Sequence, residues 1–186
     1  MAKIPVEAKK VFSGLVFDVY QWEQKMFDGN YKTFEMIKRP DTVNIILVNE
    51  KGEIILAQEQ QPGKPETIGC FGGRVEPNEH PMTAMKRELL EETGMTADQI
   101  ELWYQFEPSE KIDWIIYTFI GKGLKVMGEA SLESGEIIKP FVTTFDNLVE
   151  KVIYLENFRD QETASKILKA QKDPVEFEKL KSMLAS

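Results

Sequence analysis

Short apolar runs alternate with turn signals through the first third of the chain, a pattern typical of paired strands. Turn signals stand at FDGN (Phe27 to Asn30) and at NEKGE (Asn49 to Glu53), between segments rich in β-branched and aromatic residues. Each arrangement predicts a hairpin, and Pro40 and Asp41 separate the two. The predicted strands are KVFSGLVFDVYQWEQ, YKTFEMIKR, TVNIILVN and EIILAQEQ.

A helical period replaces this alternation after residue 80. Apolar residues recur there at three and four positions, which places them on one face of a helix. They are Met82, Met85 and Leu89. Pro81 suits a first helical turn and Gly94 suits the left-handed residue just past the end, so the predicted helix runs from Pro81 to Thr93.

The second half of the chain adds two predicted strands and three predicted helices. KIDWIIYTFIG is a continuous apolar run that we expect to be buried on both faces, and EIIKPFVTT is a shorter strand. The predicted helices are DNLVEKVIYL, ETASKILKAQK and PVEFEKLKSMLAS. Strands that alternate with helices predict an α/β fold, in which helices cover a mixed sheet.

Composition indicates one globular domain. The chain has 186 residues, of which 42% are hydrophobic and 29% charged. No apolar run approaches the ~18 residues that cross a bilayer, and the first residues lack an apolar signal core, so we expect no membrane association. The single cysteine, Cys70, excludes an internal disulfide and suits a reducing compartment, so we expect a cytoplasmic location.

The net charge of −8 narrows the possible partners. An acidic surface repels phosphate backbones, so general nucleic-acid binding is not expected. A small phosphorylated substrate would be repelled as well, unless a local charge reversed the sign. A bound divalent cation usually provides this local positive charge.

The segment RELLEETG concentrates carboxylates on one side of the predicted helix. At 100° per residue, Glu88 and Glu92 lie only ~40° apart around the axis, and Glu91 lies ~60° from Glu88 on its other side. Exposed like charges one turn apart cost about 0.2–0.5 kcal/mol per pair, and Arg87 can offset only part of this. A solvated acidic face is one interpretation. A Mg²⁺ site is the other, because Mg²⁺ prefers oxygen ligands and binds one or two carboxylates beside substrate phosphates.

The residues around this segment favour the metal site. Gly73 is followed after five residues by Glu79, and after seven more by Arg87-Glu88-Leu89-x-Glu91-Glu92-x-Gly94-Met95. This spacing matches the Nudix box at every fixed position, and the chain resembles the Nudix hydrolases. The resemblance implies an α/β/α sandwich and the Mg²⁺- or Mn²⁺-dependent hydrolysis of a nucleoside diphosphate linked to another group.

The same resemblance assigns roles to the residues of the box. Glu88 and Glu92 would be the main metal ligands, with the backbone carbonyl of Gly73 as a further one. Glu91 would either join them or be held by Arg87. Glu79 would tie the loop to the helix start. Bound cations would neutralise charge in the transition state and acidify a water, whose proton a carboxylate would take.

Other segments resemble the ADP-ribose pyrophosphatase group of this family. YKTFEMIKRP lies in a predicted N-terminal strand arm, residues 1–40, which in that group builds a homodimer around the hydrolase domain, here residues 41–186. LESGEIIKPFVTT resembles the group's acidic loop, which points to Glu136 and its neighbour Glu133 as base or extra ligand, or else to two solvated glutamates. The residues expected to act in catalysis are therefore Glu136, Glu133, Glu91 and Arg87.

Differences from the group's sequence pattern mean that other substrates are also considered. The chain has AQEQQPG where the group has a glutamine-tyrosine pair and an arginine, and GCFGG in place of a Glu-Leu-Pro-Ala-Gly lead-in. The proline expected about fifteen or sixteen residues past the box is also missing. ADP-ribose is the first substrate expected, giving AMP and ribose 5-phosphate. The alternatives are a nucleoside triphosphate pyrophosphatase and a nucleotide sensor without catalysis, although the complete acidic box argues against the sensor.

Several residues outside the box have two possible roles. Aromatic residues of the arm would stack on an adenine or pack in an interface. They are Trp22, Phe27 and Tyr31. Arg39 would contact a phosphate or pair with an acid. We expect Cys70 to be a small buried residue rather than a nucleophile, and His80 to cap or precede the helix.

Overall fold

Ten strands, four α-helices and one 3-10 turn form the part of the chain that the computed structural model describes, residues 3–132 and 135–185. The strands are β1 (Lys9–Ser13), β2 (Asp18–Lys25), β3 (Tyr31–Lys38), β4 (Thr42–Val48), β5 (Ile54–Gln60), β6 (Thr67–Gly69), β7 (Met95–Phe106), β8 (Ile112–Asp113), β9 (Ile116–Val126) and β10 (Ile137–Thr143). The helices are α1 (Pro81–Thr93), α2 (Phe145–Glu150), α3 (Gln161–Ala170) and α4 (Pro174–Leu184), and the 3-10 turn is Val152–Tyr154.

The larger sheet has the strand order β10-β5-β4-β9-β7, and β6 pairs with β5. β4 and β9 run parallel in register from Thr42 opposite Ile116 to Leu47 opposite Gly121, while the other pairs in this sheet are antiparallel. β4 is the central strand, and most of its residues are buried. This agrees with its sequence TVNIILV, which is apolar on both faces.

Helices cover both faces of this sheet. Val43, Ile45 and Leu47 of β4 lie in one hydrophobic cluster with the buried residues of α1. Ile46 and Val48 lie in the other cluster, with residues of α2, α3 and α4. Successive residues of a strand point to opposite faces, so one apolar strand supplies both cores. The predicted α/β/α sandwich with a mixed sheet is confirmed.

The N-terminal strands form a second sheet with the order β1-β2-β3-β8. β1, β2 and β3 are antiparallel, which confirms the predicted N-terminal strand extension. β8 comes from later in the chain and joins β3 in parallel, through Ile37 opposite Ile112. Lys3 also binds this later segment, since its Nζ donates to the carbonyls of Ser109 and Ile112 at 3.0 and 3.1 Å.

Some predicted elements were wrong in detail. β7 was not predicted, because it is an edge strand that pairs only with β9 and shows no continuous apolar run. KIDWIIYTFIG divides into β8 and β9, and KVFSGLVFDVYQWEQ divides into β1 and β2 at a turn where Gly14 N–H donates to Phe17 O at 2.8 Å. In the described parts of the chain, none of the helices has the length and apolar character needed to cross a membrane.

Candidate active site

Helix α1 has the predicted bounds, Pro81–Thr93, and both of its ends are capped. At the start, His80 Nδ1 accepts a hydrogen bond from Met82 N–H at 3.2 Å, so His80 is the N-cap. At the end, Gly94 has φ of 67° and donates to Leu90 O at 2.8 Å. The buried residues of α1 pack beneath it. They are Ala84, Met85 and Leu89. This packing turns the carboxylates of the helix away from the core.

A glycine loop after β6 lies against the central strand β4. Phe71 and Ile45 exchange backbone hydrogen bonds of 3.2 and 2.8 Å, and Gly73 O accepts from Val43 N–H at 3.0 Å. Gly72 has φ of 136°, and a Cβ there would clash with the carbonyl oxygen of Val43. Only glycine fits this close backbone approach. The loop is thereby fixed next to the acidic face of α1.

Glu88 and Glu92 converge on this loop. Gly72 N–H donates to Glu92 Oε2 at 2.7 Å. A Cβ on Gly73 would lie 2.5 Å from the carboxyl carbon of Glu88, so the Glu88 carboxylate packs directly against the Cα of Gly73. Burial, followed by the negative charges of Glu88 and Glu59, raises the pKa of Glu92 to about 8, against the opposing effects of the Gly72 hydrogen bond and of Arg159. Two carboxylates that disfavour each other's charge are thus held side by side.

Arg87 is fully engaged within the protein. Its Nε and Nη2 bind the two oxygens of Glu79 at 3.2 and 3.0 Å, and its Nη1 binds Glu88 at 2.8 Å and Glu91 at 3.1 Å. Nη2 also donates to Arg74 O at 2.9 Å. The hydrogen bonds to Glu79 above all raise the pKa of Arg87. Arg87 therefore joins the loop to α1 through Glu79 and holds Glu91, whose side chain is 46% exposed.

The donor set suits a hard cation shared with a substrate. No group of three or more His, Cys, Asp and Glu side chains within residues 3–132 and 135–185 stands ready to hold a metal ion. Glu88 and Glu92 supply two carboxylates, and Mg²⁺ commonly takes only one or two from the protein, with the rest from water and substrate phosphates. Burial above all raises the pKa of Glu92, and a bound cation would oppose that rise by stabilising the charged carboxylate. The residues therefore fit Mg²⁺ or Mn²⁺.

Gln61, which directly follows β5, links Glu136 to Glu59. β10 pairs with β5, and Gln61 Nε2 donates to Glu136 Oε1 at 3.0 Å and to Glu59 Oε1 at 2.7 Å. The negative charge of Glu59 in turn contributes to the raised pKa of Glu92. We call Glu59, Glu88, Glu92 and Glu136 the acidic site. Glu133 lies outside the described residues.

Arg39 forms no ion pair with an acid among the described residues. Its guanidinium carbon is 4.1 Å from the ring centre of Trp114 and 5.8 Å from that of Phe17. Its Nε is buried without a hydrogen-bond partner. Burial first, and then the charge of Arg74, lower the pKa of Arg39. The ion pair considered from the sequence is not formed, and a stacked, partly unsatisfied guanidinium remains.

The three aromatic residues of the arm differ in their surroundings. Trp22 is half-buried, packs 6.0 Å from the ring of Phe34 and donates through Nε1 to Gln24 at 3.2 Å. Phe27 is fully exposed and Tyr31 is 62% exposed, on either side of the β2–β3 turn. Their role in substrate binding stays a prediction.

Sequence reasoning missed a second set of charged residues beside the acidic site. Arg159 Nη1 pairs with Glu59, and Arg159 Nη2 donates to Cys70 O at 2.6 Å. Asp160, which is 5% exposed, accepts a hydrogen bond from Cys70 N–H. The adjacent opposite charges of Arg159 and Asp160 before a helix were the available signal, but nothing in the sequence shows that they meet β6. Cys70 is fully buried, as expected, and burial, then Asp160, raises the pKa of its thiol.

Comparisons with known proteins agree with this geometry. The family model described as NUDIX domain matches residues 38–165. The chain is 27% identical to an ADP-ribose pyrophosphatase of Bacillus subtilis (strain 168) over 150 residues, which cover 79% of this chain and 81% of the relative. It is 25% identical to a methanol dehydrogenase activator of Bacillus methanolicus, again over 150 residues and with the same coverage.

A shorter match and a structural likeness complete the comparison. The chain is 38% identical over 76 residues to an 8-oxo-dGTP diphosphatase of Haemophilus influenzae, covering 39% of this chain and 56% of the relative. A solved structure described as an ADP compounds hydrolase superposes with a TM-score of 0.71 at 15% identity, over 90% of this chain and 91% of that one, which shows the same fold. The matched domain spans most of the chain and contains the complete acidic box. The chain therefore belongs to the Nudix family and is a Nudix hydrolase.

Proposed function

We propose that this Nudix hydrolase cleaves the pyrophosphate bond of a nucleoside diphosphate linked to a sugar, with ADP-ribose as the first substrate, to give AMP and ribose 5-phosphate. The convergence of Glu88 and Glu92 on Gly72 and Gly73 carries the proposal, because it builds a place for a hard cation beside bare backbone. The likeness to the Bacillus subtilis ADP-ribose pyrophosphatase supports the choice of substrate.

Glu88 and Glu92 would hold Mg²⁺ or Mn²⁺. Gly73 O already accepts Val43 N–H, so it would use its second lone pair as a further ligand. The cation supplies charge neutralisation at the pyrophosphate and acidifies a water. Glu91 would serve the site through Arg87, with which it pairs at 3.1 Å. Arg87 has no donor left for a substrate and instead orients Glu88 and Glu91.

Glu136 is the proposed proton acceptor. Its hydrogen bond with Gln61, which also binds Glu59, supports this role. Such a carboxylate takes a proton from the attacking water if the substrate lies between β10 and α1. Glu133, two residues before the described part of this loop resumes at Gly135, is the second candidate for the same role.

The N-terminal arm, residues 1–40, is proposed to pair two copies of the chain around the domain of residues 41–186. Its apolar side chains are exposed in the single chain, and exposed apolar surface of this kind commonly marks an interface. They include Val11, Phe12, Leu15, Phe17 and Phe27. In such a dimer Trp22, Phe27 and Tyr31 would line the nucleobase side of the site, and Arg39 would bind a phosphate. A cytoplasmic location remains part of the proposal.

Nucleoside triphosphates are the second candidate substrates. The shorter match of 38% identity to an 8-oxo-dGTP diphosphatase favours them. An assay with Mg²⁺ or Mn²⁺ over sugar nucleotides, dinucleotides and triphosphates tests both proposals. Turnover of ADP-ribose with loss of most activity in Glu92→Gln is the expected result. Turnover of triphosphates alone would contradict the sugar-nucleotide proposal, and no turnover of any compound would favour a nucleotide sensor.

A further inference from the structure

Arg159 is fixed beside the acidic site by backbone pairing with β6. Ile68 N–H donates to Asn157 O at 2.9 Å, and Arg159 N–H donates to Ile68 O at 2.8 Å. Phe158 lies opposite Ile68 in a parallel bridge and is buried. The segment before α3 thus extends the sheet by one short strand-like piece. This sets the side chain of Arg159 next to Gly69.

Gly69 leaves the space that this arginine occupies. A Cβ on Gly69 would lie 2.6 Å from Asp160 Oδ2 and 3.1 Å from Arg159 Nε. Both distances are too short for an ordinary contact, so a larger residue would displace the pair. Because residue 69 in the sequence IGC (residues 68–70) has no side chain, the guanidinium of Arg159 fits beside it.

The guanidinium of Arg159 makes two hydrogen bonds within the described residues. Nη1 binds Glu59 and Nη2 binds Cys70 O, while Nε lies 3.8 Å from Asp160 Oδ1, beyond hydrogen-bonding distance. These bonds use two of the five N–H donors of an arginine. The side chain is 36% exposed. Arg159 donates to Cys70 O and Glu92 accepts from Gly72 N–H, so the two side chains bind the same loop two residues apart.

Arg159 differs from Arg87 in the number of N–H donors that its hydrogen bonds within the protein use. The hydrogen bonds of Arg87 engage all of its nitrogens with Glu79, Glu88, Glu91 and the carbonyl of Arg74, so it has no donor for a ligand. At the end of β5, the neutral Gln61 bridges Glu59 and Glu136. Arg159 is thus a cation beside the acidic site whose hydrogen bonds within the described residues leave N–H donors for an incoming anion.

We propose that Arg159 binds a phosphate oxygen of the pyrophosphate group, and that Glu59 occupies one of its donors in the absence of substrate. The inference rests on the proposed function for the identity of the substrate, but it concerns the binding of pyrophosphate itself. A guanidinium presents paired donors that suit phosphate oxygens. In a site lined by Glu59, Glu88, Glu92 and Glu136, it adds a fixed positive charge that the metal alone does not provide.

Binding of inorganic pyrophosphate, measured by isothermal titration calorimetry in the presence of Mg²⁺, tests the proposal without turnover. Arg159→Gln should weaken binding about 10- to 100-fold, the usual loss for a charge-assisted hydrogen bond. Lys169→Gln is the matched control, since it removes the same charge from the exposed side of α3. Equal affinities of Arg159→Gln and the control would overturn the proposal.

Glu59→Gln separates phosphate binding from a purely structural ion pair. Both Glu59→Gln and Arg159→Gln break the pair, so a structural role predicts that both weaken pyrophosphate binding alike. Our proposal predicts opposite effects, because Glu59→Gln removes a negative charge from the site and releases a donor of Arg159. If Arg159→Gln does not fold, Arg159→Lys decides the question. It keeps the charge but not the fork, and should bind pyrophosphate less tightly than Lys169→Gln does.

The failure of this inference is distinguishable from the failure of the proposed function. If the wild-type protein binds pyrophosphate through Arg159 but does not hydrolyse ADP-ribose, the substrate is wrong and the inference stands. If ADP-ribose is hydrolysed with the same KM by wild type and Arg159→Gln, the inference alone is wrong. A rise in KM with little change in kcat is the kinetic result that we expect.

Discussion

The backbone N–H of Gly72 donates a hydrogen bond to the carboxylate of Glu92 at 2.7 Å, and this bond joins the glycine loop to helix α1. The two residues are twenty positions apart, and each is fixed by a separate part of the fold. Gly72 lies against the backbone of Val43, and Glu92 is in the last turn of a capped helix. The position of the acidic face therefore depends on how closely the loop approaches β4.

Gly72→Ala should destabilise the protein and displace this loop. The residue has φ of 136°, and an added Cβ would clash with the carbonyl of Val43. Backbone strain alone costs on the order of 1–3 kcal/mol, and the clash adds to it. Urea denaturation measures the loss. Gly29→Ala is the matched control, since Gly29 also has positive φ, at 85°, but open space around its Cα. An equal loss for both variants would contradict the role of the close approach.

Arg87→Gln should lower the free energy of unfolding by about 1–3 kcal/mol, because it removes charged hydrogen bonds to Glu79 and Glu88, whose side chains are only 12% and 15% exposed. Urea denaturation is again the measurement. Lys86→Gln removes the same charge from the neighbouring, exposed position of α1 and should change stability by less than about 0.5 kcal/mol. Equal effects would show that only net charge matters.

The thiol of Cys70 should be unreactive in the folded protein. Cys70 is completely buried, and burial, followed by the charge of Asp160, raises its pKa well above the ordinary value. Since the thiolate is the reactive form, an aromatic disulfide reagent should label the protein only after denaturation. Labelling of the native protein at a rate close to that of the denatured protein would contradict the buried position.

The N-terminal arm should hold two copies of the chain together. Phe12 is 58% exposed on the N-terminal sheet, so Phe12→Ser should shift the protein from dimer to monomer in light scattering. Val175→Ser removes an apolar side chain that is 75% exposed on α4, and should leave the dimer intact. A wild-type protein that is a monomer at all concentrations would end the dimer proposal.

Local patterns predicted the parts of the fold that follow from neighbouring residues. Helix α1 was predicted to the residue, because Pro81, Gly94 and the apolar spacing all mark it. The two hairpins were predicted because turn residues stand between apolar runs of strand length. β7 was missed because an edge strand needs no continuous apolar run, and only its pairing with β9 reveals it.

The sequence predicted only some of the residues that meet at the acidic site. Glu88 and Glu92 are a few residues apart in a spaced motif, so the sequence brings them together. Glu59 and Arg159 are separated by a hundred residues and meet through the pairing of residues 157–159 with β6. No periodicity in the sequence contains that information, since it arises from the tertiary arrangement of the sheet.

The location of bound Mn²⁺ in a crystal of this protein tests the central claim most directly. Anomalous scattering identifies the metal independently of the protein density. We expect a Mn²⁺ peak between the carboxylates of Glu88 and Glu92, beside Gly73, and no peak there in Glu92→Gln crystals. A map in which these two carboxylates turn to different regions, with manganese bound elsewhere or not at all, would contradict the account.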